Sequence, residues 1–322
     1  MNRAIIREFL ETRQIGIYFG MVVLAAIVAI GVPGTVVPES SINPALALML
    51  FVTFLQVPFA DLRKAFLQVR FMSALLTANF VVIPLLVTIL LRFAPAHPMV
   101  RLGILLVLLA PCVDYVVTFS HLGRSDASLL LAATPVLLTM QMLVLPVYIT
   151  LFLGKEASSL IIHRGPFISA FIWLIIVPLL FAGLVQLWAA RTEIGKWILA
   201  RLGLLPVPAT AFVLFLVIAA VMPRVGAVKD MAWTVIPIYI TFAIIAPMFG
   251  WMIGRLFRLE IPAARAIAFS AGTRNSLVVL PLALAVPGGL PLLPAIIVTQ
   301  TLIELLSELV YVRLIPQLTK TS

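Results

Sequence analysis

The residues of this chain that could carry chemistry stand inside long apolar runs. The stretch LLAPCVDYVVTFSHLGRSD, residues 108–126, holds the only cysteine, Cys112, between a proline and a carboxylate. A charge at the centre of a bilayer costs about 2.5–3.5 kcal/mol on insertion scales, so such a residue usually faces a bundle interior or a cavity. His121 borders a loop and is expected to be interfacial or structural. The ionisable residues within apolar runs are Asp114, His121, Arg274, Glu304 and Glu308.

The composition is that of a polytopic α-helical membrane protein. Of the 322 residues, 63% are hydrophobic and 11% are charged, and the mean hydropathy is +1.20. A soluble domain carries about 25% charged residues. A single cysteine excludes an intrachain disulfide and a cysteine-cluster metal site, and no cofactor is expected. The net charge of +10 comes from basic residues dispersed over short loops, which indicates membrane topology rather than nucleic-acid binding.

Apolar runs of the length that crosses a bilayer predict ten transmembrane helices. With the N-terminus inside, fifteen Lys and Arg residues lie on the cytoplasmic side and six on the other side. The positive-inside rule therefore places both termini in the cytoplasm, and the expected location is a bacterial plasma membrane. The first run is expected to be a span rather than a cleaved signal peptide. The predicted spans are roughly 15–35, 43–60, 70–92, 99–121, 126–153, 166–189, 203–222, 231–255, 264–286 and 291–314.

Ten spans divide into two groups of five within one transmembrane domain, 1–322. After five crossings the second group begins on the opposite side, so we expect inverted repeats over 1–160 and 161–322. The fourth and ninth spans look broken: span four contains Pro111 beside polar residues, and span nine reads FSAGTRNSLVVLP. Interruptions at corresponding places point to a transporter's midplane site, because unwound backbone is tolerated only where it lines a cavity or faces protein. We expect the two broken helices to cross there.

The ionisable residues suggest a coupling site. Arg274 is expected to neutralise Asp114 or Glu304, either to fix packing or to hold the charge balance of that site. One arginine cannot neutralise three carboxylates, which favours a functional role for Glu304. Glu308, four residues later on the same helical face, is expected nearer the membrane boundary. A buried cysteine is usually a small apolar residue, but a thiolate is also a ligand for soft, thiophilic elements, so Cys112 has two interpretations.

The segment PCVDYVVTFSHLGRSD resembles span four of the bile acid/sodium symporter superfamily, whose motif ends here as LGRSD. More specifically, the chain resembles the arsenite efflux permeases of that superfamily. Those permeases carry a cysteine fourteen residues before the motif's aspartate, which is the spacing of Cys112 and Asp126. They also have an asparagine in the break of span nine and a glutamate in span ten, at the positions of Asn275 and Glu304. The resemblance implies that the cysteine and this glutamate are required.

Some positions depart from the family pattern. Pro111 replaces the usual arginine before the cysteine, Asp114 is additional, and Phe119 replaces a tryptophan. Sodium-coupled members place a glutamate four residues ahead of a Gln-Asn pair in span nine, and those positions are Ser270 and Arg274 here. A sodium ion needs several oxygen ligands and no adjacent guanidinium, so a sodium site of that kind is not expected. Arsenite permeases also lack the glutamate.

The resemblance implies secondary active export of arsenite, and of antimonite as a related substrate, in exchange for protons. Cys112 would be the transient As(III) ligand, and Glu304 would exchange the proton. The partners are then a small inorganic metalloid, protons and membrane lipid, while the oligomeric state stays open. The other residues expected to bind substrate are Asn275, Ser276, Thr273 and Ser270. The residues expected to couple transport to an ion are Glu304, Asp114 and Arg274.

Two functions of other classes would use these residues differently. In a carrier of small organic anions of the bile acid or keto acid type, Arg274 would grip a carboxylate and Cys112 would be incidental. An intramembrane aspartyl protease would need two facing acids, typically one in a Gly-x-Gly-Asp setting, which the sequence lacks. The chain is therefore not expected to be an enzyme.

Overall fold

The computed structural model describes residues 3–31, 39–56, 68–113, 115–161, 169, 172–225, 229–284, 286–289 and 291–319. Over these residues the chain is all-helical, and its only β-type pairing is an isolated bridge between Pro111 and Arg274. A helix satisfies its backbone hydrogen bonds within one segment, which is what a bilayer requires of an apolar run. The prediction of an all-α polytopic membrane protein is confirmed.

The helices follow the apolar runs and end at the Pro, Gly and polar segments between them. A π-helical turn over Ile172–Ile176 leads into the seventh helix, and a 3₁₀ turn over Ile315–Thr319 follows the last one. In chain order the helices are α1 (Arg3–Gly31), α2 (Glu39–Phe54), α3 (Val69–Phe93), α4 (Pro98–Leu108), α5 (Tyr115–Leu122), α6 (Ala127–Ile161), α7 (Val177–Arg191), α8 (Glu193–Leu202), α9 (Pro206–Val225), α10 (Lys229–Leu256), α11 (Ile261–Gly272), α12 (Ser276–Leu284) and α13 (Leu292–Leu314).

The chain forms two compact units, each assembled from separate stretches. The first comprises Met1–Val57, His163–Lys229 and Leu280–Ala295, and the second comprises Pro58–Ile162, Asp230–Val279 and Ile296–Ser322. Both units therefore draw on both halves of the sequence. The inverted repeats over 1–160 and 161–322 stay a prediction.

In the first unit, α1 packs along α9, and α2 packs against both α7 and α9. The side-chain amide of Gln186 in α7 donates to the carbonyl oxygens of Phe54 and Leu55, at 3.2 Å each, and so satisfies the end of α2. Helix α8 begins after Thr192, whose hydroxyl accepts a hydrogen bond from the backbone N–H of Gly195 at 3.0 Å. Such an N-cap satisfies a donor that the first turn of a helix cannot satisfy itself.

In the second unit, α11 contacts α3, α5 and α6. Its sequence IPAARAIAFSAG is rich in small residues, which allow neighbouring helices to approach closely in a membrane protein. Every residue from Ala266 to Gly272 is buried. This helix leads directly into the interruption of the ninth predicted span.

Five described helices are long and apolar enough to cross a membrane, and the pair α8 and α9, bent by 42°, would add a sixth. Helices α2, α4 and α7 are apolar but shorter. Predicted spans four and nine are each divided into two helices, because the chain leaves helical geometry around Pro111 and Arg274. The ten-span topology and the cytoplasmic termini stay predictions.

The outward faces of both units are apolar. Ile27, Ile30 and Leu151 are among the large side chains that are more than half exposed. Large exposed apolar surfaces on a protein indicate contact with a partner or a membrane, and here they lie on apolar helices of membrane-crossing length. The protein is therefore an integral membrane protein.

Candidate functional site

Two interruptions meet in the second unit. One lies between α4 and α5 and the other between α11 and α12. The backbone N–H of Asn275 donates to the carbonyl of Ala110 at 2.7 Å, and the N–H of Cys112 donates to the carbonyl of Thr273 at 3.2 Å. The bridge between Pro111 and Arg274 lies between these two bonds. Each break thus supplies partners for the backbone groups that the other break releases from its helix.

Cys112 lies in this backbone pairing. Its exposed fraction is 0%, and its own amide makes one of the two bonds that join the breaks. Pro111 explains why the helix stops here, because proline has no N–H and its ring clashes with the preceding turn. The structure therefore puts the thiol residue at the point where the two interrupted segments pair. Asp114, two residues on, lies outside the described residues.

Arg274 is completely buried, and its guanidinium is surrounded by neutral oxygens. Nη2 donates to Oδ1 of Asn79 and to the carbonyl of Ala271, at 2.8 Å each, and also to the carbonyl of Ser270. Nη1 donates to the carbonyl of Leu108 at 3.4 Å, whereas Nε has no hydrogen-bond partner. The cation is thus held by amide and backbone dipoles.

Of the two expected partners of Arg274, Asp114 lies outside the described residues, and Glu304 does not pair with the guanidinium directly. Among the described residues, the side chains of Arg274 and Glu304 form no salt bridge, and it is the backbone N–H of Arg274 that donates to Oε2 of Glu304, at 2.8 Å. The face of the Phe242 ring adds a further contact, with its centroid 5.6 Å from the guanidinium carbon. Glu304 therefore neutralises the charge of Arg274 by lying close to it, and not by a direct bond between the two side chains.

Asn79 is a site residue that the sequence interpretation missed. It lies in a π-helical turn of α3, Ala78–Val82, is fully buried, and also donates to the hydroxyl of Ser270 at 3.0 Å. Single π-helical turns occur frequently at functional sites. The available signal was an isolated amide within the apolar run LLTANFVVIPLL, but its partner is 195 residues away.

Glu304 is 2% exposed and receives three hydrogen bonds. Oε1 accepts from the hydroxyl of Tyr115, and Oε2 accepts from the Arg274 N–H and from Nε2 of Gln300. Tyr115 begins α5 directly after the first break, so the carboxylate touches residues of both interruptions. Tyr115 and Gln300 were not predicted, because neither residue type at these positions is distinctive in sequence.

Glu308 has an exposed fraction of 0%, while its place near a membrane boundary stays a prediction. Oε1 is hydrogen bonded to the hydroxyl of Thr273, while Oε2 has no partner. The ring of Tyr311 packs over Gly272, where an added Cβ would lie 2.9 Å from a ring carbon. Glycine at this position therefore allows α13 to approach the break closely enough for both carboxyl groups to reach it.

The four residues expected to bind substrate all lie at the second break, and all are buried. Ser270 accepts from Asn79, and the Ser276 hydroxyl accepts from Thr301 at 2.8 Å. Oδ1 of Asn275 accepts from the N–H of Val278 at 3.2 Å, which is an N-cap of α12, and Nδ2 of Asn275 has no partner. Asn275 thus presents an unused donor at the crossing, whereas His121 lies on the surface.

A model of the sodium bile acid symporter family matches residues 43–231. The chain belongs to the sodium bile acid symporter family. The matched stretch includes Cys112 and the first break, and it ends before the second break. The comparison with curated proteins gives no match.

Members of the symporter family are transporters, so this chain is a transmembrane transporter. Within the described residues, no group of three or more His, Cys, Asp or Glu residues is arranged to hold a metal ion. In the part of the chain that the structure describes, the arrangement offers one thiol residue, two carboxyl groups, one buried cation and one unused amide donor around paired backbone breaks. Such a set can bind a small polar solute reversibly and exchange a proton.

Proposed function

We propose that this transporter exports arsenite, and antimonite, across a bacterial plasma membrane in exchange for protons, with both termini in the cytoplasm. The observation that carries the proposal is the position of Cys112 within the backbone pairing of the two interrupted segments. Thr273, its backbone partner, is followed by Arg274, whose N–H binds Glu304. A soft ligand and an exchangeable acid therefore share one crossing.

The chemistry at Cys112 is a reversible thiol exchange. The sulfur attacks the arsenic atom of neutral arsenous acid, an As–S bond forms, one As–O bond breaks, and the thiol proton leaves with the hydroxide as water. Hydrolysis of the As–S bond on the other side of the membrane reverses the step. A single thiolate suits a carrier, because three thiolates would bind arsenic too tightly for release.

Hydrogen bonds would orient the substrate's remaining hydroxyl groups. The unused Nδ2 donor of Asn275 is the first candidate for this role. Ser270, Thr273 and Ser276 would contribute only after exchanging their present partners, Asn79, Glu308 and Thr301. Glu304 would take up and release a proton as the cavity changes sides.

The contacts of Arg274 favour this function over the two related ones. Both terminal nitrogens already bind protein oxygens, so gripping the carboxylate of an organic anion would require breaking those bonds. The same oxygens of Asn79, Ser270 and Ala271 are the ligand type that a sodium ion would need. The guanidinium occupies them, and we therefore do not propose sodium coupling.

The test replaces Cys112 with Ser or Ala in cells that lack their own arsenite efflux. Wild-type protein should lower the cellular arsenic content after arsenite exposure, and both variants should lose this effect. Ala133→Ser, which adds a hydroxyl at another completely buried position of the second unit, is the matched control and should behave as wild type. Export by the Cys112 variants at the wild-type rate, with equal protein in the membrane, would overturn the proposal.

A further inference from the structure

Two carboxyl groups of α13 face the same break. Glu304 and Glu308 are four residues apart, so they lie on one face of the helix, one turn apart. The adjacent break residues contact one acid each: Arg274 donates its N–H to Glu304, and the Thr273 hydroxyl is bonded to Glu308. Both carboxyl groups are buried, at 2% and 0% exposure. Their hydrogen-bond partners differ in kind.

The partners of Glu304 suit an ionised carboxylate. A backbone N–H and a side-chain amide, which act here only as donors, contact Oε2, and the phenol of Tyr115 contacts Oε1 and also lies 3.3 Å from the carbonyl oxygen of Arg274. A carboxylate offers about four lone-pair sites and no hydrogen, so three donors are accommodated without conflict. Hydrogen bonds to a charged group are about twice as strong as neutral ones, which stabilises the anion in this position.

The partners of Glu308 suit a protonated carboxyl group. The Thr273 hydroxyl oxygen lies 2.7 Å from the carbonyl oxygen of Phe269 and is also in hydrogen-bond contact with Oε1 of Glu308. A hydroxyl group has one hydrogen, and a carbonyl oxygen has none. If the threonine donates to Phe269, the hydrogen in its other contact must come from Glu308. The second oxygen, Oε2, has no partner, which a neutral acid tolerates far better than a buried anion.

The charged and titratable groups around the pair support the same assignment. From α13 itself come Glu304 and Tyr311, and from the breaks come Arg274, Tyr115 and Cys112. The Tyr311 hydroxyl donates its hydrogen to the carbonyl of Ala243, so this hydrogen is already used. Arg274 is the buried cation among these described residues, and its backbone N–H contacts Glu304 and not Glu308.

We propose that Glu308 is a second proton-binding site of the transporter, and that Glu304 and Glu308 together hold one exchangeable proton, which resides on Glu308 in this state. When Glu304 accepts a proton, its O–H bond forms and it needs an acceptor in place of a donor. Oε1 of Gln300 can become this acceptor when the side-chain amide rotates, because Oε1 has no partner in the present orientation. Loss of the proton from Glu308 frees the Thr273 hydroxyl to donate to the new carboxylate. The use of this pair in export depends on the proposed function, whereas its proton occupancy does not.

Infrared spectroscopy of the purified full-length protein at neutral pH tests the assignment. Protonated carboxyl groups have a carbonyl stretching band separate from the bands of carboxylates. Glu308→Gln should remove one such band, whereas Glu304→Gln should leave it in place. Glu193→Gln, at a side chain that is 88% exposed and paired with Lys196, controls for the loss of a carboxylate and should also leave it in place. A Glu308→Gln spectrum that keeps the full acid band overturns the proposal, as does loss of the band in Glu304→Gln alone.

A second pair of variants covers the case in which Glu308→Gln does not fold. Thr273→Val removes the hydroxyl that accepts the proton and should shift the acid band, while Thr273→Ser retains the hydroxyl and should restore its position. An unshifted band in Thr273→Val contradicts the proposal. Arsenite export measured on the Cys112 variants is a separate readout. If those variants export normally while the band still depends on Glu308, the proposed function fails and the proton site stands.

Discussion

The buried Arg274 allows a quantitative test, because the only cysteine lies beside it and reports local opening. Arg274→Met keeps the length of the side chain and removes its charge and donors. Counting only the two bonds of 2.8 Å, to Asn79 of α3 and Ala271 of α11, at the lower value of about 1.5 kcal/mol each, the second break loses about 3 kcal/mol of the bonds that hold it in the position where it pairs with Cys112. Since about 1.4 kcal/mol is a factor of ten, the open population should rise roughly a hundredfold.

Labelling of Cys112 by a thiol-specific maleimide dye in detergent measures this opening. Where opening and closing are fast relative to the reaction, the labelling rate follows the population of the open form. Wild-type protein should label slowly, since the cysteine is 0% exposed, and Arg274→Met should label about a hundred times faster. Arg274→Lys retains three donors on one nitrogen, so its labelling rate should lie between those of the wild-type protein and Arg274→Met.

The matched control is Arg313→Met, at an exposed position of the second unit, where the labelling rate should change less than about threefold. Circular dichroism and size-exclusion profiles check that each variant keeps its fold. Equal labelling rates for the Arg274→Met and Arg313→Met variants would refute the argument that the guanidinium fixes the second break in the position where it pairs with the first. Wild-type labelling at the rate of a solvent-exposed thiol would refute the burial of Cys112.

Further changes test other contacts. Glu304→Gln should abolish the acceleration of metalloid export by an imposed proton gradient in membrane vesicles, and an unchanged response would remove Glu304 from the coupling step. Tyr115→Phe should lower the free energy of unfolding by about 1.5–3 kcal/mol, because it removes a donor to a carboxylate. Tyr148→Phe removes a bond to a backbone carbonyl and should lower the free energy of unfolding by about 0.5–1.5 kcal/mol. Equal losses in chemical unfolding would contradict an ionised Glu304. Gly250→Ala should destabilise the protein by about 1–3 kcal/mol, because the added Cβ would lie 2.6 Å from an alanine side chain of α11. Gly183→Ala is the control: the added Cβ would have no heavy atom within 4 Å, so this variant should be neutral or stabilising by up to about 1 kcal/mol.

Local features of the sequence were sufficient to predict the helical class and the places where helices break. Pro111 interrupts a helix for reasons that involve only its own ring and the preceding turn, and the polar segment around Arg274 interrupts an otherwise apolar run. The resemblance around Cys112 led to the family, and the family match confirmed it. The arsenite substrate, the coupling ion and the roles of the site residues stay proposals.

The partners of the charged groups were less predictable. Arg274 is expected from the sequence to pair with Asp114 or Glu304; Asp114 lies outside the described residues, and the described partners of the guanidinium are Asn79 and three backbone carbonyls. Backbone carbonyls carry no sequence signature, since every residue has one. Glu308 was expected near the boundary because it is one turn from Glu304 in the direction of the cytoplasm. Its depth in the membrane stays a prediction, and the close approach of α13 at Gly272 buries it within the protein.

The sequence by itself determined that this is a membrane protein, that it is helical, and that two of its predicted spans are interrupted beside polar residues. These properties depend on composition and on neighbours a few residues apart. Only the tertiary structure decided which backbone groups pair across the interruptions and which oxygens hold the buried cation. Those contacts join residues separated by as many as 195 positions, and their energies depend on distances and on the exclusion of water, which no local pattern encodes.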